Sequence, residues 1–371
     1  MTKTRVGYVG PLLELSGSTM VMLDVLNHLD RAKYEPHLII RPGSDMEAAH
    51  LLRNDIKIHD ARYLRTWWSR LFIKEYRFKR YLAHKIRSRI YDIFIVDQNE
   101  YNYLFSNFKK KFDIKIINRV GSIKSWRVEH FNEKAERKRA IKLLPYSDAI
   151  IVPSQLAKND LVNNFGINQN KIKVIYNALD LDKIEKNSSE KLNYTTNAKT
   201  LLYVGRLISK KTPMLLLEAF KELNSQNINI ELWFVGDGVQ KKQLEEYVEE
   251  NDLKACVKFW GFQKNPYKYF KQADVFVHTS QVDGFGIALM EAAYFNLPIV
   301  YSDTLVGANE LLKKHNIGYP FDINSKADLI DKIKTALNQP KKKYFHLLKP
   351  DISIEKFIAK VEKVIDETIG S

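Results

Sequence analysis

The residues best placed to do chemistry are carboxylates and cations set in glycine-bearing turns. Asp283 lies in Thr279-Ser-Gln-Val-Asp-Gly-Phe-Gly-Ile-Ala-Leu-Met-Glu291, between the apolar run Val275-Phe-Val-His278 and a breaker-free run from Ile287. That pattern predicts strand, turn, then helix. Such turns hold ligands in open α/β sheets, because strand ends and helix starts offer free N–H groups and favour negative charge. Gly284 and Gly286 flank Phe285 and let a ligand come close to the backbone, while Glu291 follows inside the helix. Taken alone, the stretch also fits a loop with solvated carboxylates.

Four more turns share the pattern. Leu202-Tyr-Val-Gly-Arg-Leu207 sets Gly205 and Arg206 just beyond a strand, with Lys210, Lys211 and Pro213 soon after. Arginine supplies a planar fork of donors and lysine a movable point charge. Together they can neutralise a diphosphate, above all one that gains charge as it leaves a sugar carbon. A surface cation pair is the plainer alternative. Gly236 in Phe234-Val-Gly-Asp-Gly238 and Phe262 in Phe259-Trp-Gly-Phe262 mark two further strand ends, and Thr304-Leu-Val-Gly-Ala-Asn-Glu310 precedes a helix. With Asp283 and Glu291 in play, one carboxylate can hold ribose hydroxyls while the other addresses the transferred group. The five turns in strand order say more than any one of them.

Other chemistries find less support. No His/Cys spacing suits zinc, and neither a His-Glu-x-x-His motif nor a calcium loop occurs. The expectation is chemistry without a metal or other cofactor, with Arg206 and Lys211 doing the electrostatic work of a divalent ion. The loop carrying Gly17 and Ser18 can admit phosphate. It lacks both the Gly-x-Gly-x-x-Gly spacing of dinucleotide sites and the Gly-Lys-Ser/Thr ending of a P-loop, so nicotinamide binding and nucleotide hydrolysis lose ground.

These turns need sheets to carry them. Runs at 5–9, 37–40, 93–96, 114–117, 149–152 and 173–175 predict a first set of strands, and 200–204, 230–235, 257–260, 275–278 and 298–301 a second. Helical stretches lie between, so both sheets are read as parallel. The helix after the first strand is expected from about Met20, capped by Ser18 or Thr19, and Ser154 is read as a cap rather than a nucleophile. The polar segment 180–199 reads as an interdomain linker. A length of 371 residues allows two domains, and 45% hydrophobic with 28% charged residues is globular. A single cysteine, Cys256, fits a reducing compartment, and neither a secretory signal nor a bilayer-spanning run is visible.

A formal charge of +15 points to an anionic partner: nucleic acid, phospholipid or a phosphate-bearing substrate. The charge concentrates at residues 62–89, where Trp67, Trp68, Phe72, Tyr76, Phe78 and Tyr81 interleave with ten Arg and Lys residues and one acid, Glu75. Positions 68, 72, 75/76, 79 and 83 trace one side of a helix. The segment reads as an element lying on an anionic membrane surface, against the plainer reading of an outer helix packed on a sheet. No recognised nucleic-acid module accompanies it, so nucleic acid is not expected as a partner.

The pieces "LLYVGRLISKK", "LWFVGDG", "VKFWGF", "DVFVHTSQVDGFGIALMEA", "LPIV" and "VGANEL" resemble, in order and spacing, the retaining nucleotide-sugar-dependent enzymes of glycosyltransferase family 4. The resemblance covers nearly the whole chain and is strongest over 201–321. It implies an α/β GT-B fold: two facing Rossmann-like domains with an interdomain cleft. It assigns residues 1–185 to an N-terminal acceptor-side domain, 186–345 to a C-terminal nucleotide-sugar domain, and 346–371 to a helix packing back on the first. It further implies that Arg206 and Lys211 bind the donor diphosphate, Glu291 the ribose, and Asp283 the donor sugar. The backbone around Gly284, Phe285, Gly286 and Ile287 meets sugar or phosphate, and Gly17 and Ser18 approach the phosphates. Gly205, Gly236 and Phe262 complete the donor site.

The chain departs from the family pattern in three places. Asp283 stands where glutamate is usual. Asn118 and Arg119, in Ile117-Asn-Arg-Val-Gly121, occupy the region of a frequent histidine, so Arg119 joins Asp283, Arg206 and Lys211 among the candidate catalytic groups. Thr212 follows Lys211 in place of a common glycine. The function implied is transfer of a hexosyl or N-acetylhexosaminyl group from a UDP-linked donor to a surface glycan, teichoic-type polymer or lipid-linked acceptor. The expected place is the cytoplasmic face of the cell membrane. A nucleotide-sugar epimerase, a transferase for a soluble acceptor, and a non-catalytic protein binding nucleic acid or another anionic polymer are the alternatives.

Overall fold

The computed structural model describes residues 2–10, 17–40, 47–61, 71–97, 99–130, 134–226 and 228–370. The chain forms two compact units, Met1–Ala178 with Ile354–Ser371, and Leu179–Ser353. The first is built on strands β1 (Thr4–Val9), β2 (Tyr34–Ile40), β3 (Lys57–Asp60), β4 (Ile93–Val96), β5 (Lys115–Arg119), β6 (Ala149–Val152) and β7 (Ile172–Val174). Its helices are α1 (Gly17–His28), α2 (Leu71–Arg87), α3 (Asn99–Lys111), α4 (Lys124–His130), α5 (Lys134–Leu143) and α6 (Gln155–Phe165).

The second unit opens with α7 (Leu181–Ser188) and carries β8 (Lys199–Val204), β9 (Ile230–Val235), β10 (Val257–Gly261), β11 (Val275–His278), β12 (Val282–Asp283), β13 (Ile299–Ser302), β14 (Leu305–Val306) and β15 (Tyr319–Phe321). Between them run α8 (Pro213–Asn224), α9 (Lys241–Glu250), α10 (Tyr267–Gln272), α11 (Ile287–Tyr294), α12 (Asn309–Lys314), α13 (Lys326–Leu337) and α14 (Phe345–Ile352). A last helix, α15 (Ile354–Gly370), belongs to the first unit.

The sheet of the first unit has seven strands in the order β3-β2-β1-β4-β5-β6-β7, that of the second six in the order β10-β9-β8-β11-β13-β15. The main-sheet pairings are parallel, for example Val9 opposite Val96 and Val204 opposite Val235. The strands are parallel because the connections cross over, nearly all of them through a helix, and the central strands are apolar on both faces because helices cover both. Strand order reverses beside β1 in one sheet and beside β8 in the other. At such points the loops leave in opposite directions and open a crevice at the carboxyl ends of the strands.

Helix α15 is tied into the first unit by side chains. The Tyr34 hydroxyl donates to Asp366 at 2.6 Å, and the Asp30 N–H donates to Glu362 at 2.7 Å. The sequence reading put the domain boundary at 185/186 and the return at 346, whereas the units divide at 178/179 and 353/354. The segment 180–199 is not an open linker. Asp180 caps α7 by accepting from the Lys183 N–H at 3.0 Å, and Asn265 donates to the Asn187 carbonyl at 2.8 Å. Farther on, Tyr194 and Thr196 donate to Glu231 of β9 at 3.0 and 2.7 Å.

The basic segment packs one side of its helix on the sheet. Its positions 62–70 lie outside the described residues. In α2 the buried residues are Phe78, Leu82 and Ile86, spaced by one turn, and they join a core with Phe94, Phe105 and Phe108. Tyr76 and Lys79, on the side traced by positions 68, 72, 75/76, 79 and 83, are exposed. Helix α1 begins at Gly17, earlier than the expected Met20. Ser154 is a cap, accepting from the Ala157 N–H at 3.1 Å.

Candidate active site

In the second unit the loops on either side of the strand-order reversal are joined by charge. β8 ends at Val204 and is followed by Gly205 and Arg206, and a 3-10 turn over Ser209–Lys211 leads into α8. β11 ends at His278, and its loop carries Asp283 on β12, which pairs Asp283 with Val306 of β14. The Lys211 ammonium donates to the Asp283 carboxylate. Their side chains are 13% and 29% exposed, so the pair is shielded yet reachable. Burial pulls the Asp283 carboxyl upward, but the Lys211 charge beside it prevails and holds it below the usual carboxylate range. Arg206 stands exposed one turn before, and its carbonyl accepts from the Tyr203 hydroxyl at 3.0 Å, which fixes the bend.

The loop under this pair is rigid. The Thr279 hydroxyl donates to the Lys211 carbonyl at 2.9 Å, the Thr212 hydroxyl donates to the Thr279 carbonyl, and the Gln281 N–H donates to the Lys210 carbonyl at 2.9 Å. Thr212 has φ +40° and ψ +50°, a left-handed conformation that strains a β-branched residue. That conformation is what a glycine would meet at no cost, and here the threonine bonds offset it. His278 beneath is buried; burial, then the Lys211 charge, lowers its pKa to about 3, so its ring is neutral.

The glycines divide by role. A Cβ on Gly236 (φ +146°) would stand 1.9 Å from the Gly205 carbonyl oxygen, so the two turns pack backbone on backbone. Gly236 therefore seats one loop on the other. Gly286 has φ +93° and starts α11 without a side-chain cap, which leaves the first N–H groups of the helix to other partners. Gly284 and Phe285 are buried beside it, and the Phe285 carbonyl accepts from the Ala308 N–H at 2.6 Å. Ile287 opens α11 and is half-buried.

Glu291, one turn farther along α11, has its carboxylate hydrogen-bonded to Tyr267 of α10. Burial raises its pKa to about 7, against the weaker pull of that bond and of Lys183. For a carboxyl held so high, the cost of burying its charge outweighs what these two partners return. Phe262, just past β10, is 50% exposed and offers an open ring.

The remaining expected residues lie in the first unit. Gly17 and Ser18 are exposed on the first turn of α1. Arg119 is 6% exposed and committed: it donates to Asp97 at 2.6 Å and to Asn177 at 3.1 Å, and the Tyr8 hydroxyl donates to the same Asp97 oxygen at 3.2 Å. Sequence reasoning passed over Asp97, Tyr8, Thr279, His278 and Tyr267. Asp97 directly follows a strand, the one positional signal that marked it.

Residues 15–183 match the model "Glycosyltransferase Family 4", and residues 184–346 match "Glycosyl transferases group 1". The chain is 31% identical over 212 residues to an N-acetylgalactosamine-N,N'-diacetylbacillosaminyl-diphospho-undecaprenol 4-alpha-N-acetylgalactosaminyltransferase of Campylobacter jejuni, over 57% of each chain. The first curated relatives are thus spanned over only about half their length, 57%, 42% and 54%. A second C. jejuni relative, a GalNAc-alpha-(1->4)-GalNAc-alpha-(1->3)-diNAcBac-PP-undecaprenol alpha-1,4-N-acetyl-D-galactosaminyltransferase, is 24% identical over 90% of this chain and 89% of its own. Among solved structures, Anabaena HepE in complex with UDP and glucose superposes with a TM-score of 0.79 at 16% identity, covering 98% of this chain and 100% of HepE. That likeness shows the fold, two parallel-sheet α/β domains of the GT-B kind. With one glycosyltransferase model matched by each half, the chain belongs to the group 1 and family 4 glycosyltransferases.

Proposed function

We propose that the chain transfers a hexosyl or N-acetylhexosaminyl group from a UDP-linked donor, with retained anomeric configuration, to a hydroxyl of a lipid-linked or teichoic-type glycan. The observation that carries this reading is the Lys211–Asp283 pair across the strand-order reversal, with Arg206 open beside it. Arg206 and Lys211 would take the diphosphate and stabilise it as the bond from the sugar carbon to phosphate oxygen breaks. Glu291 would accept from ribose hydroxyls, Asp283 from the sugar, and the first N–H groups of α11 would donate to sugar or phosphate. Gly17 and Ser18 are the first unit's candidates for phosphate contact, and Phe262 offers a face for the base. The acceptor oxygen enters on the face the leaving group vacates, and its proton passes to the departing phosphate oxygen. No divalent ion is assigned, since two cations already meet the developing charge.

The acceptor class is supported by the undecaprenol-linked substrates named for both C. jejuni relatives and by a Staphylococcus aureus poly(ribitol-phosphate) alpha-N-acetylglucosaminyltransferase among the matches. Work at the inner membrane face fits the outward side of α2, where Tyr76, Arg77, Lys79 and Arg80 are exposed. Among the described residues no helix is long and apolar enough to cross a membrane.

The test is a product assay with a panel of nucleotide sugars and lipid-extract acceptors, with and without EDTA. The expected result is transfer from a UDP-sugar, undiminished by EDTA, with the donor's anomeric configuration in the product. An inverted product removes the retaining mechanism, and loss with EDTA removes the metal-free one. Donor isomerisation without an acceptor points to an epimerase. Sedimentation with anionic but not zwitterionic vesicles is expected, and equal recovery from both would remove the electrostatic membrane contact.

A further inference from the structure

The lysine assigned to the diphosphate is already paired with a carboxylate. Lys211 is neutralised by Asp283 within a site that is only partly open to water, whereas Arg206 stands exposed. A diphosphate cannot use the full charge of Lys211 while Asp283 holds it. We propose that Asp283 and the diphosphate compete for Lys211, so that the pair is a latch that opens when the donor binds and recloses as the nucleoside diphosphate leaves. This rests on the donor-site reading above and adds a regulated release step to it.

The surroundings confine the exchange to one side chain. The backbone of residues 210–212 is held by the bonds to Thr279 and Gln281, so the loop need not move for the Lys211 ammonium to swing. Asp283 is not stranded when Lys211 leaves, because Lys210 also acts on it. The carboxylate is anchored as well, since β12 is paired with β14 and the Asp283 carbonyl accepts from the Gly307 N–H. Arg206 would make first contact, Lys211 would follow, and Asp283 would reclaim the lysine after transfer and so speed departure of the product.

The decisive measurement is binding of UDP and GDP by calorimetry to the wild-type chain, Asp283→Asn, Lys211→Met and the double variant. The latch predicts that Asp283→Asn tightens binding of the preferred nucleotide by about tenfold, the equivalent of one partly shielded ion pair. It also predicts slower dissociation in stopped flow. In the Lys211→Met background the same change should do nothing, because there is no lysine left to release. Tightening of equal size in both backgrounds would mean plain repulsion between carboxylate and phosphate, and would overturn the latch. So would unchanged or weaker binding in Asp283→Asn. If the wild-type chain binds neither nucleotide, or Arg206→Ala binds as well as wild type, the donor-site reading itself fails, and the latch falls with it.

Discussion

Both units place a cation against a carboxylate at the carboxyl ends of a parallel sheet, and they use the pair in opposite ways. In the first, Arg119 and Asp97 are each 6% exposed; Arg119 also donates to Asn177, and Tyr8 also donates to Asp97. The charges are closed off, and the network stitches β1, β4 and β5 to the segment after β7. In the second, Lys211 and Asp283 keep partial access to water, Arg206 is in solvent, and Glu291 is held near neutral pH by burial. The same architecture thus yields one satisfied network and one left poised. Only the poised one has charge to offer a ligand.

The sharpest way to break this contrast is to remove one arginine from each unit. Arg119→Met leaves Asp97 buried without its cation and is expected to destabilise the first unit by about 3–5 kcal/mol. Thermal unfolding should show the loss directly. Arg206→Ala removes an exposed side chain, so the melting temperature should hold within about a degree, while transfer falls by about 10²–10³-fold. Normal turnover with a diphosphate donor in that variant would sink the donor assignment. An unchanged melting temperature in Arg119→Met would show that the closed network contributes little.

A glycine sharpens the difference between holding a site and serving in it. Gly236→Ala should cost about 3 kcal/mol, because its Cβ would press on a backbone oxygen that cannot rotate away. A wild-type denaturation midpoint would refute the backbone-on-backbone seating. Sequence alone marked Gly236 as a ligand glycine, since a turn that must admit a neighbouring loop and one that must admit a ligand carry the same residue.

Local signal decides what else was legible. Strands such as Ile230–Val235 and Val275–His278 announce themselves by continuous apolar runs, and both sheets follow from their alternation with helices. Lys57-Ile-His-Asp60 has one apolar residue and exists as an edge strand because β2 offers it a partner. Tyr319-Pro-Phe321 is likewise an edge, where proline's missing N–H does no harm. Helix α7 hid in a polar stretch because its partner, α10, is some eighty positions away. The Lys211–Asp283 pair was equally invisible. Each residue carried a role by itself, and nothing local says that 211 and 283 meet.

Glu291 gives the smallest and most conditional prediction. Its folded pKa, about 7, lies above the ordinary glutamate value of 4.5, so the fold favours the protonated form. The stability that protonation contributes is full below about pH 4.5 and is lost as pH rises through about 7. Gln at this position stays neutral and has no such loss. Glu291→Gln should therefore match wild type at about pH 4 and exceed it at pH 8 by about 1–2 kcal/mol, a modest gain because the carboxylate keeps some contact with water. In melting temperature that is a few degrees. Donor binding should weaken in the same variant, since an amide oxygen is a poorer acceptor for ribose hydroxyls than a carboxylate. A stability gain at pH 8 with weakened binding would mark Glu291 as a residue kept at the expense of the fold for the sake of the donor. A gain of the same size at about pH 4 would show that burial of its charge is not the cause.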